Sequence, residues 1–556
     1  MSIKPFLLVN LNILLFTVLG IDSFGQSLQW AKQIGGAGWD EGTSIATDKN
    51  NNIYTVGLFI GTVDFDPGIG VFNLTSVGEK DAFICKLDAT GNFMWAKQYG
   101  DSAAIDEKSS LGIDALGNLY TTNSFVGAVD FDPGVGSFYL TSLGWDRNVF
   151  IQKLDENGKF IWAKQISAQP LLAFPTPIHS NAVAVDASGN QYLTGYFDGT
   201  VDFDPDTSST FKMTAHLYTD IFICKLNADG NFVWAKQFAG QTGGGVAYAI
   251  TVDGNSNVYS TGNIGGTVDF DPGPGIFSLT TSNAVQTEIY ISKLDALGNF
   301  VWAKALGPGQ GSAIAVDDKA NVYTCGWQPL PHKPVLNKFD SSANLVWAKE
   351  LGGLYGTALA LDHIGNVYTA GQCKSGTNDY DPGPGIFNLS GDAFISKLDT
   401  DGNFIWAGVF TSTYQININA IAVNAGGNVS TTGFFNGIAD FDPSTSIFNL
   451  TSPAIGYDIF IHKLSANIST GLKENSFEDE IKIYPNPTEG NLTIEFEKEH
   501  DILNLVLRNN LGQELDTKLV NNSNHAEIQI NGVASIYLLE IFNKNNQRAV
   551  FQIIKK

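Results

Sequence analysis

An all-β fold of many short antiparallel strands is what this sequence predicts, and three observations predict it. Among its 556 residues Gly (59) and Phe (37) are abundant, Met (3) is scarce, and only 16% are charged. That mixture suits strands joined by tight turns. Runs of five to seven β-branched and aromatic residues recur between Gly, Asn and Asp turns. The runs also recur in a fixed order along most of the chain, which marks a repeat architecture.

The repeat is anchored by Trp-Ala-Lys at Trp30, Trp95, Trp162, Trp234, Trp302 and Trp347, with a variant at Trp406 in which Gly408 replaces the lysine. Successive spacings are 65, 67, 72, 68, 45 and 59. Four strands fall between tryptophans. Strand a alternates, as in Ser44–Asp48, Ala182–Asp186 and Ala420–Asn424. Strand b reads Ile53–Gly57 or Val367–Gly371, and strand c reads Ala82–Asp88, Ile221–Asn227 or Ala393–Asp399. Strand d carries the tryptophan. Four antiparallel strands match one blade of a β-propeller. A blade cannot bury both faces alone, so its aromatic residues pack on the next blade around a ring. Seven tryptophans predict seven blades. The seventh unit has strand c at Asp458–Ser465 but no Trp-Ala-Lys strand after it, whereas the first opens with such a strand, Leu28–Gln33, and no strand c before it. The orphan strand is expected to complete the last blade and remove the open edges.

The motifs Gly-Asn-x-Tyr-Thr-x-Gly, Asp-x-Phe-Ile-x-Lys-Leu-Asp and Gly-Asn-x-x-Trp resemble the bacterial repeats known as SBBP, over roughly residues 28–465. The resemblance implies a seven-bladed propeller. It implies no single activity, because propellers host many.

Six of the seven units insert residues between strands b and c. The first insertion reads Thr62–Thr75. Its Asp-x-Asp-Pro core gives six pairs: Asp64 with Asp66, Asp130 with Asp132, Asp202 with Asp204, Asp269 with Asp271, Asp379 with Asp381 and Asp440 with Asp442. The fifth unit lacks it and has the shortest spacing, 45. Val63 and Phe65 alternate with the aspartates, Pro67-Gly68 turns the chain, and Phe72 and Leu74 resume the alternation, which predicts a hairpin. The b–c connections share one end of every blade, so the hairpins should crown one face of the ring. Loops on a rigid scaffold usually carry binding. Paired carboxylates on one side of a strand can begin a calcium site, which needs about six to eight oxygens. All twelve aspartates are therefore candidate calcium ligands. In the competing reading Asp66 caps its own turn and Asp64 faces water. Asp399–Asn403 resembles a calcium-loop fragment, but a hairpin turn explains it better.

The formal net charge of −24 repels phosphate backbones and argues against nucleic acid as a partner. It suits divalent cations or basic ligands, or plain solubility. The seven histidines are scattered and form no metal-binding pair at helical spacing. There is no nucleophile-elbow pentapeptide and no phosphate-binding glycine loop. The carboxylates repeat with the blades, and repetition argues for architecture, since a catalytic site needs unlike residues at unique positions. No catalytic residue is assigned. Lys86, Lys225 and Lys397 are expected to extend over the blade and pair with turn aspartates. Cys85 and Cys224 occupy the same place in non-adjacent repeats, while Cys325 and Cys373 lie in neighbouring repeats and are candidates for a bridge. Buried free thiols are the default for all four.

At the N-terminus Lys4, the apolar stretch Phe6–Leu19 and small residues near Ser23 and Gly25 read as a secretory signal cut before Gln26. The stretch is too short to span a membrane, and no later segment is long and apolar enough to do so. The repeat stops after Ser465, and Ser469–Glu480 reads as a linker. Strands at Leu492–Phe496, Leu503–Arg508, Ile528–Ile530, Ile536–Phe542 and Ala549–Ile554, with a turn at Asn510–Gln513, predict a small β-sandwich. Tyr484-Pro485-Asn486-Pro487, Gly490, Leu511-Gly512, Ile536-Tyr537 and the terminal Lys555-Lys556 make this segment similar to the type A sorting domain of the type IX secretion system. Ser535 stands where that family usually has Gly. The similarity implies export through the outer membrane by the type IX machinery, removal of the domain, and surface attachment or release.

The expected organisation is a signal at 1–25, a propeller at 26–468, a linker at 469–480 and a sorting domain at 481–556. The expected function is binding or adhesion toward an extracellular glycan or protein. The alternatives are a secreted polysaccharide hydrolase or lyase and a structural surface protein.

Overall fold

The computed structural model describes residues 26–100, 109–142, 146–169, 178–216, 218–283, 286–329, 332–453, 456–466, 481–509, 514–543 and 548–556. The expected signal, the linker and the Asn510–Gln513 turn lie outside them. The chain divides into two compact units, Met1–Ala466 and Asn467–Lys556.

In the first unit the strands gather into four-stranded antiparallel sheets, each ordered a-b-c-d. The first sheet is Glu41–Thr47, Ile53–Phe59, Asp81–Leu87 and Phe93–Tyr99. Strands b and c lie between neighbours and are buried along their whole length, while a and d alternate. The a strands contact one another in sequence, and Gln415–Val423 of the last sheet contacts Glu41–Thr47 of the first. That last sheet is completed by Ser27–Ile34, which pairs antiparallel with Asp458–Ser465 from Ser27↔Ser465 to Ile34↔Ile459.

The repeated residues explain the joints. Trp95 meets Tyr54 of its own sheet edge-on at 6.2 Å and covers Gly158, at φ +74°, in the c–d turn of the next. A side chain at Gly158 would press on the indole. Trp30 covers Gly91 in the same way, so the N-terminal strand makes the repeat's ordinary joint. The c-strand lysines do extend over the sheet: Lys86 lies 4.8 Å from the Tyr54 ring centroid. Their acceptor differs from the expected aspartate. Lys86 Nζ donates to the Glu156 carbonyl at 3.0 Å and Lys463 Nζ to the Ala89 carbonyl at 2.8 Å, both in the next turn. The turn directs main-chain oxygens at the amine because its aspartate is already engaged. Burial lowers the Lys463 pKa, and Asp88 opposes the shift.

Turns use the acidic residues. Asp48 Oδ1 accepts from the N–H groups of Asn50 and Asn52, and Oδ2 from the Asn52 amide and the Tyr54 hydroxyl. Asp399 accepts from Asp401 N and Asn403 N, the turn that the sequence favours over a calcium loop. At Asp88 burial opposes ionisation, but bonds from Asn92 and Thr90 outweigh it and hold the carboxyl at about 2. All four cysteines are free, so Cys325 and Cys373 do not bridge. Cys373 Sγ lies 3.0 Å from the Tyr380 hydroxyl, and burial pushes both thiols up to about 12.

In the second unit Ile481–Tyr484, Asn491–Arg508, Glu514–Gln529, Ser535–Asn543 and Arg548–Lys555 form one five-stranded antiparallel sheet. The two strands expected at 492–496 and 503–508 are one, with an irregular register between Glu495 and His500. Both halves contribute to one core, including Leu492, Ile494, Leu505, Tyr537 and Ile541. The Tyr-Pro-Asn-Pro segment meets the chain end. Asn486 Oδ1 accepts from Ile554 N at 2.9 Å, and Thr488 N donates to the Ile554 carbonyl at 2.8 Å.

Candidate functional site

The six hairpins form, but their apolar side is not a free crown. Val63 and Phe65 are fully buried, and Phe65 lies against Phe59 and Phe83 with centroids 5.3 and 5.0 Å away. Ile34, Ile459 and Ile461 share that cluster, and all three belong to the sheet in which Ser27–Ile34 pairs with Asp458–Ser465. The first hairpin strand also lengthens the preceding strand d, by the pairs Ser167↔Asp202, Ala239↔Asp269 and Thr411↔Asp440. Each hairpin is thus a latch across a joint. The glutamine after Trp-Ala-Lys fastens its other strand: Gln33, Gln98 and Gln237 donate to the carbonyls of Thr451, Thr75 and Thr214.

The candidate calcium ligands accept hydrogen bonds from the hairpin backbone. Asp64 Oδ1 accepts from Asp66 N at 3.0 Å and Phe72 N at 2.8 Å, and Asp66 Oδ1 accepts from Gly68 N at 2.8 Å. In the second unit Asp130 accepts from Asp132 N and Phe138 N, and Asp132 accepts from Gly134 N. In the third, Asp202 accepts from Asp204 N and Phe211 N, and Asp204 accepts from Asp206 N and the Ser209 hydroxyl. In the fourth, Asp269 accepts from Asp271 N and Phe277 N, and Asp271 accepts from Gly273 N. In the sixth, Asp379 accepts from Asp381 N and Phe387 N, and Asp381 accepts from Gly383 N. In the seventh, Asp440 accepts from Asp442 N and Phe448 N, and Asp442 accepts from Ser444 N.

Asp66, Asp132, Asp204, Asp271, Asp381 and Asp442 therefore cap their own turns, as the competing reading expected. Asp64 and its equivalents staple the hairpin mouth, partly buried in five units and exposed at Asp379 in the sixth. In each pair Oδ1 of both carboxylates accepts from backbone N–H groups, and two carboxylates alone supply fewer than the roughly six to eight oxygens of a calcium site. Among the described residues no group of three or more His, Cys, Asp or Glu gathers as metal ligands.

The a strands surround a central pocket of about 480 Å³. A β-bulge shapes it in six of these strands. The register slips at Thr43, Asn181, Tyr248, Ser312, Thr357 and Asn419, and each of these lines the pocket. A bulge re-aims one side chain and bends its strand. Here it also drives a main-chain oxygen toward strand b. A Cβ at Gly57, Gly195, Gly262, Gly326, Gly371 or Gly433 would collide with the carbonyl of Glu41, His179, Val246, Gln310, Tyr355 or Asn417. That collision is the reason for the glycine of Tyr-Thr-x-Gly. The second unit has Asn123 there, and among the described residues its strand a pairs from Ser110 to Ile113.

Several bulge side chains stitch one sheet to the next. Thr43 donates to the Ser109 carbonyl at 2.8 Å, Asn181 to that of Ala247 at 2.7 Å, and Thr357 to that of Ile418 at 2.7 Å. Asn419 donates to the Gly42 carbonyl at 2.9 Å and to Glu41 Oε1 at 2.8 Å, joining last sheet to first.

At the pocket mouth the repeat stops repeating. The residues paired across strands a and b are Glu41 with Leu58, His179 with Tyr196, Val246 with Asn263, Gln310 with Trp327, Tyr355 with Gln372 and Asn417 with Phe434. Glu41, Gln310, Trp327, Tyr355 and Gln372 line the pocket. Sequence reasoning passed over all of these. The available signal was the departure from the repeat immediately after its recurring glycine.

Comparison with known proteins agrees with this anatomy. A model described as the secretion system C-terminal sorting domain matches residues 482–556, and one described as a beta-propeller repeat matches residues 29–58. An SBBP-type propeller repeat region and a C-terminal sorting domain are both present. The sorting domain marks the protein as secreted or displayed at the cell surface. The chain is 26% identical over 237 residues to "Uncharacterized WD repeat-containing protein L264" of Acanthamoeba polyphaga mimivirus, covering 37% of this chain and 16% of that relative's length. Among solved structures, the WD40 beta propeller domain of Doa1 is similar with a TM-score of 0.38 at 9% identity, over 80% of this chain and 98% of that one. Polysaccharide lyase Uly1 is similar with a TM-score of 0.32 at 10% identity, over 76% of this chain and 77% of that one.

Proposed function

We propose that the repeat region is a closed seven-bladed propeller whose central pocket binds an extracellular glycan. Closure is supported by the pairing of Ser27–Ile34 with Asp458–Ser465 and by the bond from Asn419 to Gly42. The observation that carries the binding role is the contrast within the repeat. Residues at turns, joints and hairpins recur from unit to unit, whereas the side chains around the pocket mouth differ between units. A scaffold needs likeness, and recognition of an asymmetric ligand needs unlike groups at fixed places. The pocket volume falls in the ordinary ligand range of about 300–1,000 Å³. Its side chains are largely hydroxyls, amides and aromatic rings, which suit a sugar's hydroxyls and apolar faces.

Hydrolysis fits less well. Among the described residues lining the pocket Glu41 is the one carboxylate, and no described His, Cys or Lys accompanies it. Glycoside hydrolysis usually employs two carboxyl groups about 5–10 Å apart.

Ser312 lies on a bulge and lines the pocket, so Ser312→Trp places an indole in the site. Calorimetric titration of the full chain with neutral hexasaccharides and with polygalacturonate should show binding that this variant abolishes. Binding that Ser312→Trp leaves intact overturns the pocket as the site.

A further inference from the structure

The fifth repeat unit breaks the pattern in a place that bears on the pocket. Its second strand, Val322–Pro329, leads to the third, His332–Phe339, with no hairpin between them. In the other units an aromatic residue of the hairpin, such as Phe65, Phe203 or Tyr380, is buried in the joint with the preceding sheet. Here the corresponding space is a cavity of about 180 Å³ lined by Ile289, Leu306, Gln328 and Val335. Beside it His332 borders a groove of about 680 Å³.

Beside this opening stands an aromatic group; Tyr196 and Phe434 hold the equivalent position in the third and seventh units, against His179 at 4.6 Å and Tyr457 at 4.8 Å, but of the three Trp327 is the one that lines the pocket. His332 stacks on Trp327 with centroids 5.7 Å apart and planes 29° from parallel, and Tyr355 meets the indole edge-on at 5.1 Å. The indole is therefore braced on two sides while remaining partly exposed and lining the central pocket. Gln310 lies directly across the strand pair from Trp327, and Gln372 lies across from Tyr355. A rigid ring beside amide groups is what the C–H face of a pyranose and its equatorial hydroxyls require. Among the described residues Glu41 is the one charged side chain lining the pocket, and the chain carries −24 overall, which disfavours a polyanion.

We infer that Trp327 is the stacking platform for a neutral glycan held in the central pocket. This rests on the binding role proposed above and adds the ligand's charge class and its anchoring residue.

The test is calorimetry on the full chain with neutral hexasaccharides of glucose, mannose and xylose and with polygalacturonate, comparing Trp327→Ala, Trp327→Phe and Trp39→Ala. Trp39 is an exposed tryptophan outside the pocket lining. The expected result is binding of a neutral hexasaccharide, weakened about tenfold or more by Trp327→Ala, partly restored by Trp327→Phe and unchanged by Trp39→Ala. Unchanged affinity in a Trp327→Ala chain with a wild-type thermal melt overturns the inference, as does preference for polygalacturonate. In both cases loss of binding in Ser312→Trp would leave the pocket reading standing, and retained binding there would remove both.

Discussion

Gly195 carries a constraint that its sequence context barely hints at. Its φ is not left-handed; the restriction is the His179 carbonyl, which the bulge at Asn181 pushes into the space of a Cβ. Gly195→Ala should destabilise the repeat region by about 1–3 kcal/mol, read from the denaturant midpoint. Asp64 offers a second case. Asp64→Ala leaves two N–H groups without their acceptor and should lower stability by about 1–2 kcal/mol, equally with calcium or with chelator. A calcium-dependent melt that this variant abolishes would instead favour a metal role for the pairs. His462 stands where other c strands carry Cys85, Cys224 or Ser292, fully buried against Phe410 with Thr431 beside Nδ1. Burial holds its pKa down to about 3. The unfolded chain binds a proton there below about 6.5, so stability is retained above that pH and lost progressively as pH falls from about 6.5 toward 3. His462→Ser should therefore melt closer to its neutral-pH temperature at pH 5 than the wild type does.

At the scale of elements, strands a to d were legible because each is a short run of β-branched and aromatic residues, alternating in a and d and largely apolar in b and c, bounded by turns whose chemistry the sequence spells out. The hairpins were legible as hairpins for the same reason. Their destination was not, because the pairing of Ser167 with Asp202 joins residues of different units, and alternation says which side is apolar but not what covers it. The role of the paired aspartates was half legible: capping by Asp66 follows from its turn, but the inward aim of Asp64 depends on the hairpin's closing around it. Phe65 and its equivalents carried the missing hint about the latch. An exposed loop has no need of a large apolar residue at the same place in five units, with Tyr380 in the sixth. The latch role is testable. Phe203→Ala should cost about 3–5 kcal/mol, as for a core phenylalanine, whereas a loop residue would cost little.

For the whole molecule, the arithmetic of the tryptophans anticipated the N-terminal strand beside Phe460, since a sheet short of one strand at the end and a spare strand at the start have one economical solution. Deleting residues 26–36 should expose the edges of Asp458–Ser465 and turn a cooperative melt into aggregation. The pocket was hidden by the same reasoning that revealed the repeat, because aligning units on what they share discards where they differ. Hydrogen exchange on the full chain, with and without a hexasaccharide that binds, tests that division most directly. The account predicts ligand-dependent protection at the starts of the a strands and around Trp327, with the hairpin tips near Ile69, Val135 and Ile276 unchanged. Protection confined to those tips, with none at Gln310–Ser312, Trp327 or Tyr355–Thr357, would contradict it.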